Sequence, residues 1–431
     1  MGAGKLFIRD VHIGSPDSAP EHICVAGGVV RQPDAFPESE ADMVIDARGA
    51  VAIPGLVDVH VHFREPGFEY KETIRSGSIA AAAGGFTSVC TMPNLKPAPD
   101  SMPNLRRQLD IIDADAAIEV LPYATITKSR LGAETIDYDA LAPYVCGFSD
   151  DGSGIDDDDV MLRAMTLIAR TGKVLAEHCE VKALLDGGCI HKGSFASSHN
   201  LPGICSESEW REVERNIRLA EKTGCRLHIC HVSTKESVEL IRGGKRRGVD
   251  VTAETAAHYI AFCEDDMTDD GRFKMNPPLR GADDRQALIQ GLQDGTIDCI
   301  ASDHAPHAPH EKNLGLRRSA MGVSGIELSL PAIYSFAVAS GLISFQRMIE
   351  LMAINPRRIF GIKGGLGTGH RADIALVDFD REFTVDAANL LSAGKVTPFL
   401  GTRLNGAVLA TIAGGNIVYC NSSFSKQVKG K

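Results

Sequence analysis

Short apolar or β-branched runs, each followed by a longer stretch with helical spacing, recur through the middle of the chain. Period and Gly/Pro punctuation predict strands at Leu56–His62, Thr87–Met92, Glu119–Ala124, Val145–Ser149, Lys173–His178, Arg226–Val232, Asp250–Glu254 and Asp298–Asp303. Eight such units predict an α/β fold, a (β/α)8 TIM-like barrel. The clearest helix is expected over Ser206–Thr223, where Ser206 and Glu209 have capping-box spacing and Trp210, Val213, Ile217 and Ala220 fall on one face. The flanks read differently. Lys5–Ala52 and Gly365–Tyr419 carry short strands and turns without a strong helix, including Ala372–Val377 and Ala407–Ile412. They predict a small composite β-sandwich built from both termini. The expected division is 1–53 and 363–431 for the sandwich and 54–362 for the barrel, with a polar tail frayed from about Ser422.

Composition narrows the class. The 431 residues are 44% hydrophobic and 23% charged, values of an ordinary globular protein with a core large enough to need no disulfides. Lys plus Arg number 45 against 56 Asp plus Glu, a formal charge of -11 that repels polyanions, so neither nucleic acid nor an anionic membrane is an expected partner. The 11 cysteines are scattered, odd in number and never spaced C-x-x-C, the pattern of reduced cytoplasmic thiols. The opening MGAGKLFIRD has no apolar signal core, and Leu6 stands where a myristoylation signal needs Ser or Thr. The 14 histidines are the one oddity, because several fall at the ends of expected strands.

Those strand ends carry the chemistry. In Val57–His62, side chains alternate, so Asp58, His60 and His62 share one side of the strand. An isolated H-x-H is weak, and two half-exposed histidines would be its ordinary meaning. Here, however, His178, His231 and Asp303 each end another expected strand, and in a parallel barrel the C-terminal strand ends meet at one mouth. Four imidazoles and a carboxylate gathered there suit a pair of divalent ions, and are costly to desolvate without them. A bridge between two ions is available in Phe148-Ser-Asp-Asp-Gly, where one aspartate can shape a turn and the other ligate; strand parity does not choose between Asp150 and Asp151. The run Asp156–Asp159 reads as a solvated helix N-terminus. Arg64 could fork onto a carboxylate, Asn94 and Asn276 sit beside prolines, and His307 lies four residues past Asp303. His304 and His310 are assigned to supporting or loop positions, and His228 and His258 to structure.

Together these segments resemble the amidohydrolase superfamily and, within it, the class I dihydroorotases, over essentially the whole chain. The carrying motifs are Val57-Asp-Val-His-Val-His-Phe-Arg-Glu-Pro-Gly, Met92-Pro-Asn, Phe148-Ser-Asp-Asp-Gly, Ala176-Glu-His, His228-Ile-Cys-His-Val-Ser-Thr, Met275-Asn-Pro-Pro-Leu-Arg and Ser302-Asp-His-Ala-Pro-His. The resemblance implies two zinc ions per subunit. His60, His62 and Asp303 would hold the more buried ion, His178 and His231 the other, with Asp151 bridging. Many relatives bridge with a carboxylated lysine, which this chain lacks at that strand. It further implies that His62, Arg64, Asn94 and His307 contact a substrate carboxylate, Asn276 the ring, and Met321-Gly322 the substrate through the backbone. Two positions depart from the pattern: Met321 stands where Phe is usual and Leu95 where Thr is usual.

The implied reaction is the reversible, zinc-dependent cyclisation of N-carbamoyl-L-aspartate to dihydroorotate in pyrimidine biosynthesis, in the cytoplasm. Asp303 would carry the proton between the attacking water and the leaving amide nitrogen. One rival is an allantoinase or dihydropyrimidinase, relatives expected to carry the bridging lysine. The other is an inactive scaffold for aspartate transcarbamoylase, which should have lost ligands. The reading leaves open a homodimer, an association of active enzyme with aspartate transcarbamoylase, and manganese or cobalt in place of zinc.

Overall fold

The structure, a computed structural model, describes residues 4–430. Its centre is an eight-stranded parallel sheet in chain order: Leu56–Val61, Phe86–Thr91, Glu119–Ala124, Gly147–Phe148, Val174–Glu177, Arg226–Ile229, Val251–Ala256 and Cys299–Ala301. A bridge between Val61 and His304 joins the last strand's end to the first and closes the circle. All eight expected strands are present. The four strands that end in His62, His178, His231 and Asp303 are shorter at the mouth than expected, because those residues leave the strand, whereas the third ends at Ala124 as expected and the seventh runs on to Ala256. His62 and His178 follow the last paired residue directly, and His231 and Asp303 come two residues after it. His231 and Asp303 adopt φ of +33° and +44°, a backbone that cannot continue a strand.

Helices Ile74–Ala83, Met102–Asp115, Asp158–Thr171, Glu207–Thr223, Lys235–Arg246 and Ala282–Asp294 cover the outside. Parallel strands sandwiched this way are buried on both faces, and every residue of Leu56–Val61 is buried. The helix expected from Ser206 has the right extent, but its capping box does not form. Ser206 is already helical and offers no side-chain cap. Glu209 is drawn instead to Ser233 and Thr234, whose backbone N–H groups donate at 3.1 and 3.0 Å. Trp210 is only half-buried, under Arg211, and does not join the face formed by Val213, Ile217 and Ala220. The aspartate run behaves as expected, Asp157 capping the helix from Asp158 by accepting from the N–H of Asp159 and Val160.

Both ends of the chain meet in a second eight-stranded sheet. Leu6–Ile13, Pro20–Ala26, Val29–Arg31 and Met43–Pro54 pair among themselves, while Ile374–Thr384, Arg403–Ala413 and Asn416–Cys420 add from the other side. Leu6, Ile8, Ile45, Ile374, Leu376 and Ile412 share one core. The tail is not frayed: Phe424 is buried and Val428–Gly430 pairs antiparallel with Met43–Ile45. No helix among the described residues is long and apolar enough to cross a membrane.

Candidate functional site

The barrel mouth brings together all six residues expected to ligate metal. Asp151 Oδ1 lies at the centre, 3.3 Å from His60 Nε2 and 3.7 Å from both His178 Nδ1 and His231 Nε2. Asp303 Oδ1 sits 3.2 Å from His62 Nε2 and 3.6 Å from His60 Nε2. His178 Nδ1 and His231 Nε2 are 2.8 Å apart. Every one of these residues is buried.

Adjacent groups aim the rings. His60 Nδ1 donates to Glu254 Oε1 at 2.6 Å and His62 Nδ1 to Asn94 Oδ1 at 2.9 Å, which leaves both Nε2 lone pairs facing the cluster. Asp150 and Asp151 divide the two roles open to them. Asp150 accepts from the N–H of Ile126 at 2.8 Å, from that of Thr127 and from the Thr127 hydroxyl, and so shapes the turn. Asp151 points inward, its carbonyl oxygen held by Arg130 and the chain turned by Gly152 at φ +72°. His304 is buried and ties the closing strand to Glu72, at 3.4 Å, whereas His310 is exposed.

The expected substrate contacts line the same mouth on two sides. Arg64 Nε donates to the Pro306 carbonyl at 3.3 Å, and its guanidinium lies 3.5 Å from His307 Nε2. His307 Nε2 donates to the Met321 carbonyl at 2.8 Å, and its Nδ1 accepts from Lys71 at 3.1 Å. Burial, then the Arg64 and Lys71 charges, push His307 down to about 3, so the ring is neutral; burial lowers Arg64 only to about 10, so it stays a cation. At Gly322, φ is +126° and a side chain would meet the Ala305 carbonyl at 2.7 Å, so only glycine allows this approach. Asn276 is on the opposite side, donating to Glu180 Oε1 at 2.7 Å.

Three supporting residues escaped the sequence reading. Glu254 is fully buried between His60 Nδ1 and His228 Nε2, which makes His228 part of the same network. A carboxylate in the middle of an otherwise apolar or β-branched strand, Val-Thr-Ala-Glu-Thr-Ala, was the available signal. Glu180 lies 3.6 Å from His178 Nε2, and Arg130 stands behind Asp151. Neither has a distinguishing pattern in the sequence.

The electrostatics bear on what this cluster can hold. Burial opposes charge on Asp151 and Asp303, yet the neighbouring imidazoles hold both carboxyls below the usual range, Asp303 at about 2. Both are therefore anions inside the protein, a charge that bound cations would balance. His60 Nε2, Asp151 Oδ1 and His231 Nδ1 are buried without a hydrogen-bond partner. Two sets of donors, His60 with His62 and Asp303, and His60 with Asp151 and His231, come within 4.8 Å of one another. Imidazole and carboxylate donors with free lone pairs at this spacing fit divalent cations.

Residues 49–237 match the family model described as Dihydro-orotase-like. A dihydroorotase of Bacillus cytotoxicus is 45% identical over 383 residues, covering 88% of this chain and 90% of its own. Among solved structures, an L-hydantoinase (dihydropyrimidinase) from Arthrobacter aurescens superposes with a TM-score of 0.84 at 25% identity, covering 96% of each chain. A dihydropyrimidinase from Brevibacillus agri gives 0.83 at 22% identity over 97% of this chain and 95% of that one.

Proposed function

The chain belongs to the dihydroorotase family and is a cyclic amide hydrolase, and from that premise we propose how its own residues open and close the ring of dihydroorotate. The observation that carries the reading is the mouth itself, where all six expected ligands converge and an aspartate, Asp151, occupies the central position. His60, His62, His178, His231, Asp151 and Asp303 would hold a pair of zinc ions. When bound, these supply Lewis acidity toward the amide carbonyl and lower the pKa of water.

The remaining work belongs to the protein. Arg64, a buried cation beside a neutral His307, would fork onto the substrate carboxylate, with Asn94 beside it. Asn276 and the backbone of Met321 and Gly322 would hold the ring so that its amide carbon faces Asp303. Water adds to that carbon, the C–N bond breaks, and Asp303 accepts the proton from the water and returns it to the departing nitrogen. The product is N-carbamoyl-L-aspartate; run in reverse, the same groups expel water and close the ring, the direction that pyrimidine synthesis requires. Eleven cysteines, all free thiols, support a reducing, cytoplasmic setting.

A substrate panel tests the assignment. Purified protein loaded with zinc should hydrolyse dihydroorotate and leave allantoin and dihydrouracil untouched. Turnover of allantoin or dihydrouracil without dihydroorotate would move the chain to the hydantoinase side of its structural relatives. Failure on all three, with two ions bound, would favour the inactive scaffold.

A further inference from the structure

His307 is neutral, and a neutral imidazole carries its one proton on either of two nitrogens. Which nitrogen has it decides what the ring does at the mouth. Nε2 lies 2.8 Å from the Met321 carbonyl and 3.5 Å from the Arg64 guanidinium, on the side assigned to the substrate carboxylate. A proton on Nε2 makes His307 a donor beside Arg64, whereas a lone pair there repels an incoming anion. The other nitrogen, Nδ1, has two neighbours that make contrary demands. Glu311 Oε2, at 3.4 Å, accepts and draws the proton toward Nδ1. Lys71 Nζ, at 3.1 Å, is an ammonium that can only donate, so it needs the Nδ1 lone pair.

Lys71 settles the contest by engaging Glu311 as well. Its Nζ is 2.8 Å from Glu311 Oε1, and the pair is largely withheld from water, with 13% and 19% of the two side chains exposed. The ammonium also lies over the rings of Phe68 and Tyr70, 5.9 and 5.5 Å from their centres. Glu311 is held in turn by the N–H of Ala308 at 3.0 Å. Lys71 belongs to the loop after the first barrel strand, which also carries Arg64, while His307 and Glu311 follow the last strand. The next residue, Glu72, joins the same two loops through His304 at 3.4 Å. The groups around the His307 ring are therefore set by both loops at once.

We infer that Lys71 is a positioning residue for the substrate carboxylate, holding His307 as the Nε2–H tautomer by donating to Nδ1 and keeping Glu311 away from it. This rests on the reading that Arg64 and His307 receive that carboxylate. Long-range proton–nitrogen correlation spectra of the zinc-loaded protein, with the His307 signals identified by their loss in His307→Ala, should show the proton on Nε2. A proton on Nδ1 overturns the inference. In Lys71→Met the charged groups left facing the ring are Arg64 and Glu311, so Glu311 gains Nδ1 and the ring's pKa rises from about 3. Below that raised pKa both nitrogens are protonated and the donor survives. Above it the one proton stays beside Glu311, and Nε2 turns a lone pair to the substrate. The ratio of variant to wild-type KM for dihydroorotate should therefore climb with pH to about tenfold or more, with kcat changed far less. Lys71→Met with Glu311→Gln should recover most of that loss, because no anion then competes for the proton. A ratio that stays flat with pH, or a double variant no better than the single one, means that Lys71 merely fills space and overturns the inference. If His307→Ala leaves KM unchanged, the carboxylate reading fails and the inference falls with it. If His307→Ala raises KM and Lys71→Met does not, the inference alone falls.

Discussion

Asp150 and Asp151 are consecutive, both buried, and belong to regions that treat charge in opposite ways. In the wall around the mouth, Asp150, Glu209 and Lys312 are buried charges whose hydrogen bonds are made. Asp150 is surrounded by donors from Ile126 and Thr127, Glu209 by the backbone and hydroxyl groups of Ser233 and Thr234, and the Lys312 ammonium by the Lys274 and Ala320 carbonyls at 2.9 and 2.8 Å. Inside the mouth the reverse holds, since Asp151 Oδ1, His60 Nε2 and His231 Nδ1 are kept dry and unpaired. Hydrogen bonds that stabilise the fold would occupy the lone pairs that chemistry needs. The wall accordingly spends its donors on rigidity, and the mouth withholds them.

The sharpest way to break this contrast is Asp303→Asn. The amide is nearly isosteric and cannot take a proton from water, so kcat should fall by roughly a thousandfold or more. The metal-free protein should also lose some urea stability at neutral pH, because the imidazoles that hold Asp303 at about 2 lose their anion, but no backbone donor is stranded, so the loss should be smaller than for Asp150→Ala. An Asn variant with near-normal turnover would remove Asp303 from the proton path, and one that fails to fold would erase the distinction between the two regions.

Asp150→Ala should give the opposite pattern. It strands two backbone N–H groups and a hydroxyl in a dry interior, a loss of about 3 kcal/mol in urea-unfolding free energy. Turnover per folded molecule should change far less than in Asp151→Asn, where the central carboxylate at the mouth loses its charge. Equal losses of activity in the two variants would mean that turn geometry and ligation cannot be separated here.

The same contrast explains what was legible in the sequence. Eight strands could be counted because parallel strands covered on both faces must be apolar runs, and the ligands stood out because histidine at the end of such a run has no packing reason to be there. The exact ends were blurred, since a ladder residue and one that has just left it, as at His231, are spelled alike. Strand parity left Asp150 and Asp151 open and the resemblance alone chose Asp151; the physical reason lies just past the third strand at Ile126 and Thr127, more than twenty residues away in sequence. Glu209 misled for the same reason: its capping-box spacing is local, but four donors from the Ser233–Thr234 turn outcompete one N-cap N–H. Glu254 was missed because only the closed barrel sets it against His60.

Lys312 offers the smallest effect and the finest test of saturation in the wall. Burial, then the charge of Lys274, lower its pKa from an ordinary 10.5 to about 7, although two carbonyls accept from its ammonium. Below pH 7 the lysine is protonated both folded and unfolded, so its contribution to stability is constant. Between pH 7 and 10.5 the unfolded chain binds a proton that the folded chain has released, and stability rises with pH wherever the unfolded state binds more protons. Relative to Lys312→Met, which cannot titrate, the wild type should therefore gain on the order of 2 kcal/mol from pH 7 to pH 9. Urea unfolding of both proteins across that range isolates the term, because other titrating groups cancel in the difference. A flat difference would mean that the two carbonyls hold the ammonium as firmly as water does, and the wall would then be saturated in energy as well as in geometry. A rising one would show that this loop, which carries Met321 and Gly322 to the mouth, is anchored by a charge that is released just above neutrality.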